Sequence, residues 1–112
     1  MFPPSDPCTH CVDDYVRRCV AIESPPRVSE LAEHFGFDAS RLNKRFRRRF
    51  GVCVSEYLKQ RQLALAEELM LATDWTTATI AYRCGFGTRR TFFRVYRRFK
   101  GSTPATCRSR AA

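Results

Sequence analysis

The sequence predicts an all-α protein with two helix-turn-helix units joined by a long linker helix, about seven helices in total. Three observations lead to this fold class. Apolar residues recur at helical spacing through most of the chain, a helix–glycine–helix pattern occurs twice, and Lys and Arg are concentrated in the second helix of each copy. A length of 112 residues with 44% hydrophobic residues fits one compact domain with a modest core.

The chain begins with a segment that is not predicted to be helical. Three prolines fall within residues 1–8, which we expect to form a flexible arm. From about Thr9, apolar residues recur at i, i+3, i+4, i+7 and i+8 and predict a helix that ends before Pro25-Pro26. These apolar residues are Val12, Tyr15, Val16, Cys19 and Val20.

The first helix-turn-helix unit covers about residues 9–51. Its first short helix has an apolar stripe and ends at Gly36, because glycine adopts the left-handed conformation that terminates a helix. In the second helix Leu42, Phe46 and Phe50 share one face, and the polar and basic side chains point the opposite way. The outward residues are Ser40, Arg41, Lys44, Arg47 and Arg48, with Asn43 and Arg45 on the flanks.

The linker helix is predicted from about Val54 to Ala72, and no internal proline or glycine bends it. If it is rigid, it fixes the separation of the two units. The second unit covers about residues 76–108, with helices from about Thr77 to Cys84 and from about Arg89 to Phe99. Thr103-Pro104 then predicts an N-cap and the first turn of a short final helix.

The second unit repeats the first. A shift of 49 residues aligns the first helices, and a shift of 50 aligns the second helices, so the second copy has one extra residue in its turn, which Gly87 can accommodate. A basic helix face that recurs within the same frame favours a shared function over a merely solvated surface. The matching residues are Leu31-Ala32 with Ile80-Ala81, Gly36-Phe37 with Gly85-Phe86, Leu42 with Phe92, Phe46 with Tyr96 and Gly51 with Gly101.

The positive charge is confined to the second helix of each unit. The net charge is +9; residues 41–49 hold six Lys and Arg, residues 89–100 hold six more, and neither window contains Asp or Glu. The eight remaining basic residues are outnumbered by eleven acidic ones. This distribution is typical of two surfaces that face nucleic-acid phosphates. The aromatic strands and GXXG loop of common RNA-binding modules are absent, which favours double-stranded DNA.

Several other classes of function receive little support. No run of 18 apolar residues predicts a membrane span, and the first residues lack the layout of a signal peptide, so we expect a cytoplasmic protein. Cys8-x-x-Cys11 is half of a zinc site without a matching second half, and we predict no metal and no cofactor. His10 and His34 lie in different elements without a catalytic constellation, so we predict no enzyme activity.

The quoted motifs resemble the AraC/XylS-type family of bacterial transcription regulators. The resemblance covers about residues 12–108 and rests on LAEHFGF, LNKRFRRRFG, SEYLKQRQLALAEELML, IAYRCGF and FFRVYRRFKGSTPATCR. It implies a regulator, most often an activator, that inserts two recognition helices into adjacent major-groove segments. Because one chain contains two units, we expect it to bind DNA as a monomer, with RNA polymerase as a protein partner and a place at the nucleoid.

The resemblance also assigns candidate DNA contacts. The family's base-contacting positions match Ser40, Asn43 and Lys44 in the first unit and Arg89, Arg90, Phe93 and Arg94 in the second. Asn suits adenine and Arg or Lys suits guanine, whereas Phe93 either meets a thymine methyl group or packs at the edge of its unit. The cations expected at phosphates are Arg41, Arg47, Arg48, Arg97 and Arg98.

The chain departs from the family at the start of the linker helix, where Cys53-Val54 replaces the usual cap and proline, although the second copy keeps Thr103-Pro104. Two further readings of the basic faces stay open. An architectural protein would bind DNA without sequence preference, and a helical protein-interaction module would not bind DNA at moderate salt.

Overall fold

The computed structural model describes residues 7–106, and every regular element within this range is an α-helix. The all-α class and the two helix-turn-helix units are therefore confirmed. A further helical turn begins at residues 104–106, where the described part of the chain ends. The six complete helices are α1 (Pro7–Ala21), α2 (Val28–Phe35), α3 (Ala39–Phe50), α4 (Val54–Ala72), α5 (Thr77–Arg83) and α6 (Arg89–Lys100).

Helix α1 begins at Pro7, earlier than the start predicted near Thr9. Proline is tolerated there because the first N–H groups of a helix have no intrahelical acceptor. The predicted arm was thus too long at its C-terminal end, and residues 1–6 lie outside the described part. The apolar stripe of α1 is buried as predicted at Val12, Tyr15, Val16 and Cys19.

Helix α1 is held on α4 by polar contacts as well as apolar ones. The hydroxyls of Thr9 and Tyr57 lie 2.6 Å apart in a buried hydrogen bond. Arg61 donates two hydrogen bonds to the carboxylate of Asp13, at 2.6 and 2.8 Å. Such a fork-to-carboxylate pair has a defined geometry, so it fixes the register of α1 along α4.

The turn between α2 and α3 uses a glycine and an aspartate. Gly36 has φ 74°, and its N–H donates to the carbonyls at the end of α2. Asp38 is the N-cap of α3, and its Oδ1 accepts from the N–H of Arg41 at 2.9 Å. The cap removes one of the unpaired N–H groups at the start of the second helix, and Leu42 and Phe46 are buried beneath it.

Helix α4 lies at the centre of the molecule, in contact with α1, α2, α3 and α5. Its limits agree with the prediction, but its surroundings make it more than a spacer. Buried side chains occur around most of its circumference, as expected for a helix packed on several sides. They are Val54, Tyr57, Leu58, Gln62, Leu63, Leu65, Ala66 and Met70.

The second unit uses threonine caps. Thr76 accepts from the N–H of Thr79 at the start of α5, and Thr88 accepts from the N–H of Thr91 at the start of α6. The extra residue of this turn is accommodated as predicted, because Gly87 has φ 84°. Helix α5 ends at Arg83, one residue before the predicted end at Cys84.

The turn of the second unit packs against the first unit. Gln62 is buried on α4, and its amide donates to the carbonyl of Cys84 at 2.7 Å. Gly85 lies so close to Pro26 that a Cβ added there would meet the proline Cδ at 2.5 Å. The apolar residues of all six helices accordingly form one continuous core.

The predicted short final helix lies at the end of the described residues. Pro104 is buried and starts the helical turn at residues 104–106, whereas residues 107–112 lie outside the described part. Within residues 7–106, no helix is both long enough and apolar enough to cross a membrane.

Candidate nucleic-acid interface

Helix α3 presents its polar and basic residues to solvent. Leu42 and Phe46 anchor its inner face in the core. Because a helix advances about 100° per residue, side chains on the side of α3 opposite these anchors face solvent. Five predicted DNA contacts are exposed in this way, namely Ser40, Arg41, Lys44, Arg47 and Arg48.

Helix α6 repeats the arrangement. Phe92, Val95 and Tyr96 are buried. The predicted DNA contacts on the opposite face of α6 are all arginines. No residue of its first turn is acidic. The exposed members are Arg89, Arg90, Arg94, Arg97 and Arg98.

The last turn of α6 differs from the rest, because two of its cations pair with α4. The Nη2 atom of Arg98 lies 2.9 Å from Oε1 of Glu56, and the Nζ atom of Lys100 lies 3.0 Å from Oε1 of Glu67. These pairs are at least partly solvent-exposed, so they contribute little to stability. They nevertheless place an anion beside each cation. Arg98, predicted at a phosphate, is therefore a weaker candidate than Arg97. No local sequence pattern indicates this pairing, because Glu56 lies on another helix.

Arg89 is held in place at the start of α6. Its Nε donates to the hydroxyl of Thr77 at 3.0 Å, and its guanidinium lies 4.2 Å from the centre of the Phe93 ring. Phe93 is half-buried and packs on the core, which favours the packing alternative for this residue. A guanidinium held by a ring and a hydroxyl loses less conformational entropy when it contacts a base.

Two further arginines of α3 cover aromatic rings. Arg45 lies 4.8 Å from the centre of the Phe37 ring, and Arg49 lies 5.8 Å from that of Phe50. Arg45 thus occupies the flank that the helical periodicity predicts, over the turn between α2 and α3. Neither residue belongs to the predicted set of DNA contacts.

Asn43 is directed toward the protein. It is half-buried, and its Oδ1 accepts a hydrogen bond from the N–H of Val54 at 2.9 Å. This contact ties the middle of α3 to the first residue of α4. The sequence prediction placed Asn43 at a base edge, and the partner at Val54 could be found only from the fold.

The cysteines and histidines are separate from these faces. Within residues 7–106, no group of three or more His, Cys, Asp or Glu side chains has the spacing of a metal site. Cys19 is buried, as its place in the apolar stripe predicts, and Cys84 is buried too; burial raises the pKa of Cys84 to about 12. Burial and the neighbouring Cys8 also raise the pKa of the Cys11 thiol. Such thiols stay protonated at neutral pH and are poor nucleophiles and metal ligands.

Comparisons with known proteins agree with this geometry. A helix-turn-helix domain family model matches residues 31–110, which cover most of α2 and all of α3 to α6. The chain belongs to the AraC/XylS-type helix-turn-helix family. The arabinose operon regulatory protein of Salmonella typhimurium is 26% identical over 109 residues, which are 97% of this chain and 38% of that protein.

Another member of the AraC/XylS-type family, the HTH-type transcriptional activator RhaR of Pectobacterium carotovorum, is 33% identical over 90 residues, which are 80% of this chain and 32% of that protein. The chain therefore spans well under half the length of these relatives. Among solved structures, the DNA-binding domain of the global transcriptional factor AdpA in complex with a target DNA has a TM-score of 0.75 and 25% identity, covering 95% of this chain and 93% of that one.

Proposed function

We propose that this chain binds a specific double-stranded DNA site and regulates transcription, with α3 and α6 inserted into adjacent major-groove segments. The observation that carries the proposal is the pair of exposed basic helix faces at equivalent positions of a repeated unit, fixed on one core. A helix of this kind fits the major groove, where base edges differ in their donors and acceptors.

The exposed residues divide into two sets by their positions. We assign base contacts to Ser40 and Lys44 in α3 and to Arg89, Arg90 and Arg94 in α6. We assign phosphate contacts to Arg41, Arg47, Arg48 and Arg97, which orient the protein without reading sequence. Asn43 is left out of these sets because its Oδ1 already accepts from a backbone N–H, and Arg98 because a carboxylate already pairs with its charge.

The broader role follows the relatives. RhaR is named a transcriptional activator, and we propose activation here too, with RNA polymerase as the protein partner. The chain would act at the nucleoid, in the cytoplasm, as a monomer and by binding rather than catalysis. A monomer suffices because one chain already presents two recognition helices, whereas a single unit needs a second chain to read two half-sites.

Selection of bound sequences from a random DNA pool tests the proposal. We expect an asymmetric site, because α3 and α6 present different side chains, and footprinting should show two protected major-groove segments on one DNA face. If the selection enriches no particular sequence, the architectural alternative is favoured instead. A palindromic site that needs two chains would contradict the monomeric mechanism.

The spacing of the two half-sites gives a sharper test, because it leaves the protein unchanged. Five added base pairs should abolish tight binding, since they turn the second segment by about half a turn of DNA. Ten added base pairs restore the face but move the segment by about one turn, roughly 34 Å, so a rigid monomer should still fail. Recovery with ten base pairs would show that the two units are not fixed to each other.

A further inference from the structure

The first turn of α4 has an unusual cap. The first N–H groups of a helix lack intrahelical acceptors, and the N-cap side chain ordinarily supplies one. Cys53 occupies the N-cap position of α4, and its side chain makes no capping hydrogen bond. The N–H of Val54 instead donates to Asn43 Oδ1, a residue of the preceding helix. Val54 itself is fully buried, so water cannot easily replace this acceptor.

The second unit has an equivalent junction after its recognition helix, but no backbone N–H there needs an acceptor. At equivalent positions it has Thr103-Pro104 in place of Cys53-Val54, and proline has no N–H to satisfy. The residue equivalent to Asn43 is Phe93, which offers no acceptor and packs on the core. The recognition helix therefore carries an acceptor in the first unit, where an N–H must be paired, and none in the second unit, where proline has no N–H.

This contact competes with base recognition. An asparagine that reads adenine uses both ends of its amide, accepting from N6 with Oδ1 and donating to N7 with Nδ2. Asn43 Oδ1 is already bonded to Val54, and turning the amide toward DNA would leave a buried N–H unpaired. We infer that Asn43 is a positioning residue that fixes α3 on α4, and that the first unit reads base edges through its neighbours Ser40 and Lys44. The inference rests on the proposed function for its DNA half only.

A double-mutant cycle tests the positioning role without DNA. Val54→Pro removes the N–H, and the backbone suits it, since Cys53 has φ −74° and ψ 164°, in the region that a residue before proline adopts. Asn43→Ala should raise the unfolding equilibrium constant roughly five- to thirtyfold in the native background. The same change in the Val54→Pro background should alter it less than about twofold, because no donor is left unpaired.

Asn43→Asp provides the matched control. It keeps an acceptor for the Val54 N–H and should leave the unfolding constant within about threefold of the native value, since Asp and Asn cap about equally well. Equal losses from Asn43→Ala in both backgrounds, or a loss from Asn43→Asp as large as that from Asn43→Ala, would overturn the positioning role.

Sequence selection with the Asn43→Ala/Val54→Pro double variant tests the DNA half. We expect it to select the native site with unchanged preference at every base pair, whereas Lys44→Ala should relax one base pair of the first half-site at least about fivefold. A double variant that loses preference at one adenine would show that Asn43 reads a base. If the native protein selects no sequence at all, the proposed function fails, while the unfolding cycle still decides the role of Asn43.

Discussion

Individual arginines of α6 should differ in what they contribute to DNA binding. Arg94 and Arg97 are both exposed, and unlike Arg98 and Lys100 they form no ion pair within residues 7–106. Arg94 lies nearer the N-terminal part of the helix, the part that meets base edges in helix-turn-helix proteins. Arg97 lies in the last turn, where a cation more readily meets a phosphate.

We therefore expect the two alanine variants to behave differently. Arg94→Ala should cost about 1–3 kcal/mol on the selected site and relax preference at one base pair. Arg97→Ala should weaken selected and random DNA about equally and reduce the salt dependence by roughly one phosphate contact. Binding titrations on both DNAs measure this, and equal effects of both variants on both DNAs would contradict the division into base and phosphate contacts.

The thiols should also differ in reactivity, by reason of their surroundings. A hydrogen bond with the Ser55 hydroxyl lowers the pKa of Cys53, whereas burial raises that of Cys84 to about 12. A lowered pKa means more thiolate at a given pH, and the thiolate is the form that reacts. At pH 8 in native conditions Cys53 should be alkylated well before Cys84, and mass spectrometry of the peptides gives the order. In denaturant the difference should disappear.

At the scale of elements, the turn between α5 and α6 depends on its closeness to the first unit. Gly85 and Gly87 both have positive φ, at 89° and 84°, but only a Cβ at Gly85 would meet other atoms. These are Pro26 Cδ at 2.5 Å and Gln62 Nε2 at 3.0 Å. The two glycines thus separate backbone strain from steric overlap.

Gly87→Ala should lower the free energy of unfolding by about 1–2 kcal/mol, the penalty of a left-handed backbone alone. Gly85→Ala should cost about 1–3 kcal/mol more, because the loop at Pro26 and the bond from Gln62 to Cys84 must both shift. Urea unfolding of the two variants measures the difference. Equal losses of unfolding free energy in the two variants would mean that the turn of the second unit is not tightly packed against the first unit.

The limits of the helices could largely be predicted from the sequence, because they depend on local signals. Periodic apolar residues, Gly36 and Gly101 at helix ends, and the cap at Thr76 act over a few residues. The helix from Val54 to Ala72 agrees with its predicted limits for the same reason.

The remaining features depend on distant residues and could not be predicted this way. Asn43 accepts from a backbone N–H on the next helix, and Glu56 lies on α4 beside Arg98 of α6. The sequence places both side chains on a polar face but does not state which partner the packing brings there. Gln62 was missed for a related reason, since a buried glutamine breaks the apolar pattern and has its partner in another turn. Which of the exposed residues contact bases stays a prediction.

At the scale of the whole molecule, the distribution of charge sets the salt dependence of binding. Helices α3 and α6 carry twelve cations, but Arg98 and Lys100 already pair with carboxylates of α4. If about half of the others neutralise phosphates, log K should fall against log salt with a slope of roughly −4 to −6, at about 0.9 per contact. Titrations at several salt concentrations give the slope, and a value shallower than about −2 would mean that the basic faces do not meet the DNA backbone.

The central position of α4 has a thermodynamic consequence. Neither recognition helix has a hydrophobic core of its own, since α4 contributes side chains to both units and the turn at Gly85 rests on Pro26. Loss of either unit exposes apolar surface of the other, so the chain should melt in one cooperative transition. Trp75, the only tryptophan, lies between α4 and α5, with the Arg83 guanidinium of α5 5.5 Å from its ring centre, so its fluorescence reports the surroundings of α5. Its midpoint in urea should coincide with that of far-ultraviolet circular dichroism, which reports all the helices. A mutation that destabilises one recognition helix should therefore lower the population of both, and a binding defect in one half-site is attributable to lost contacts only after the folded fraction has been measured.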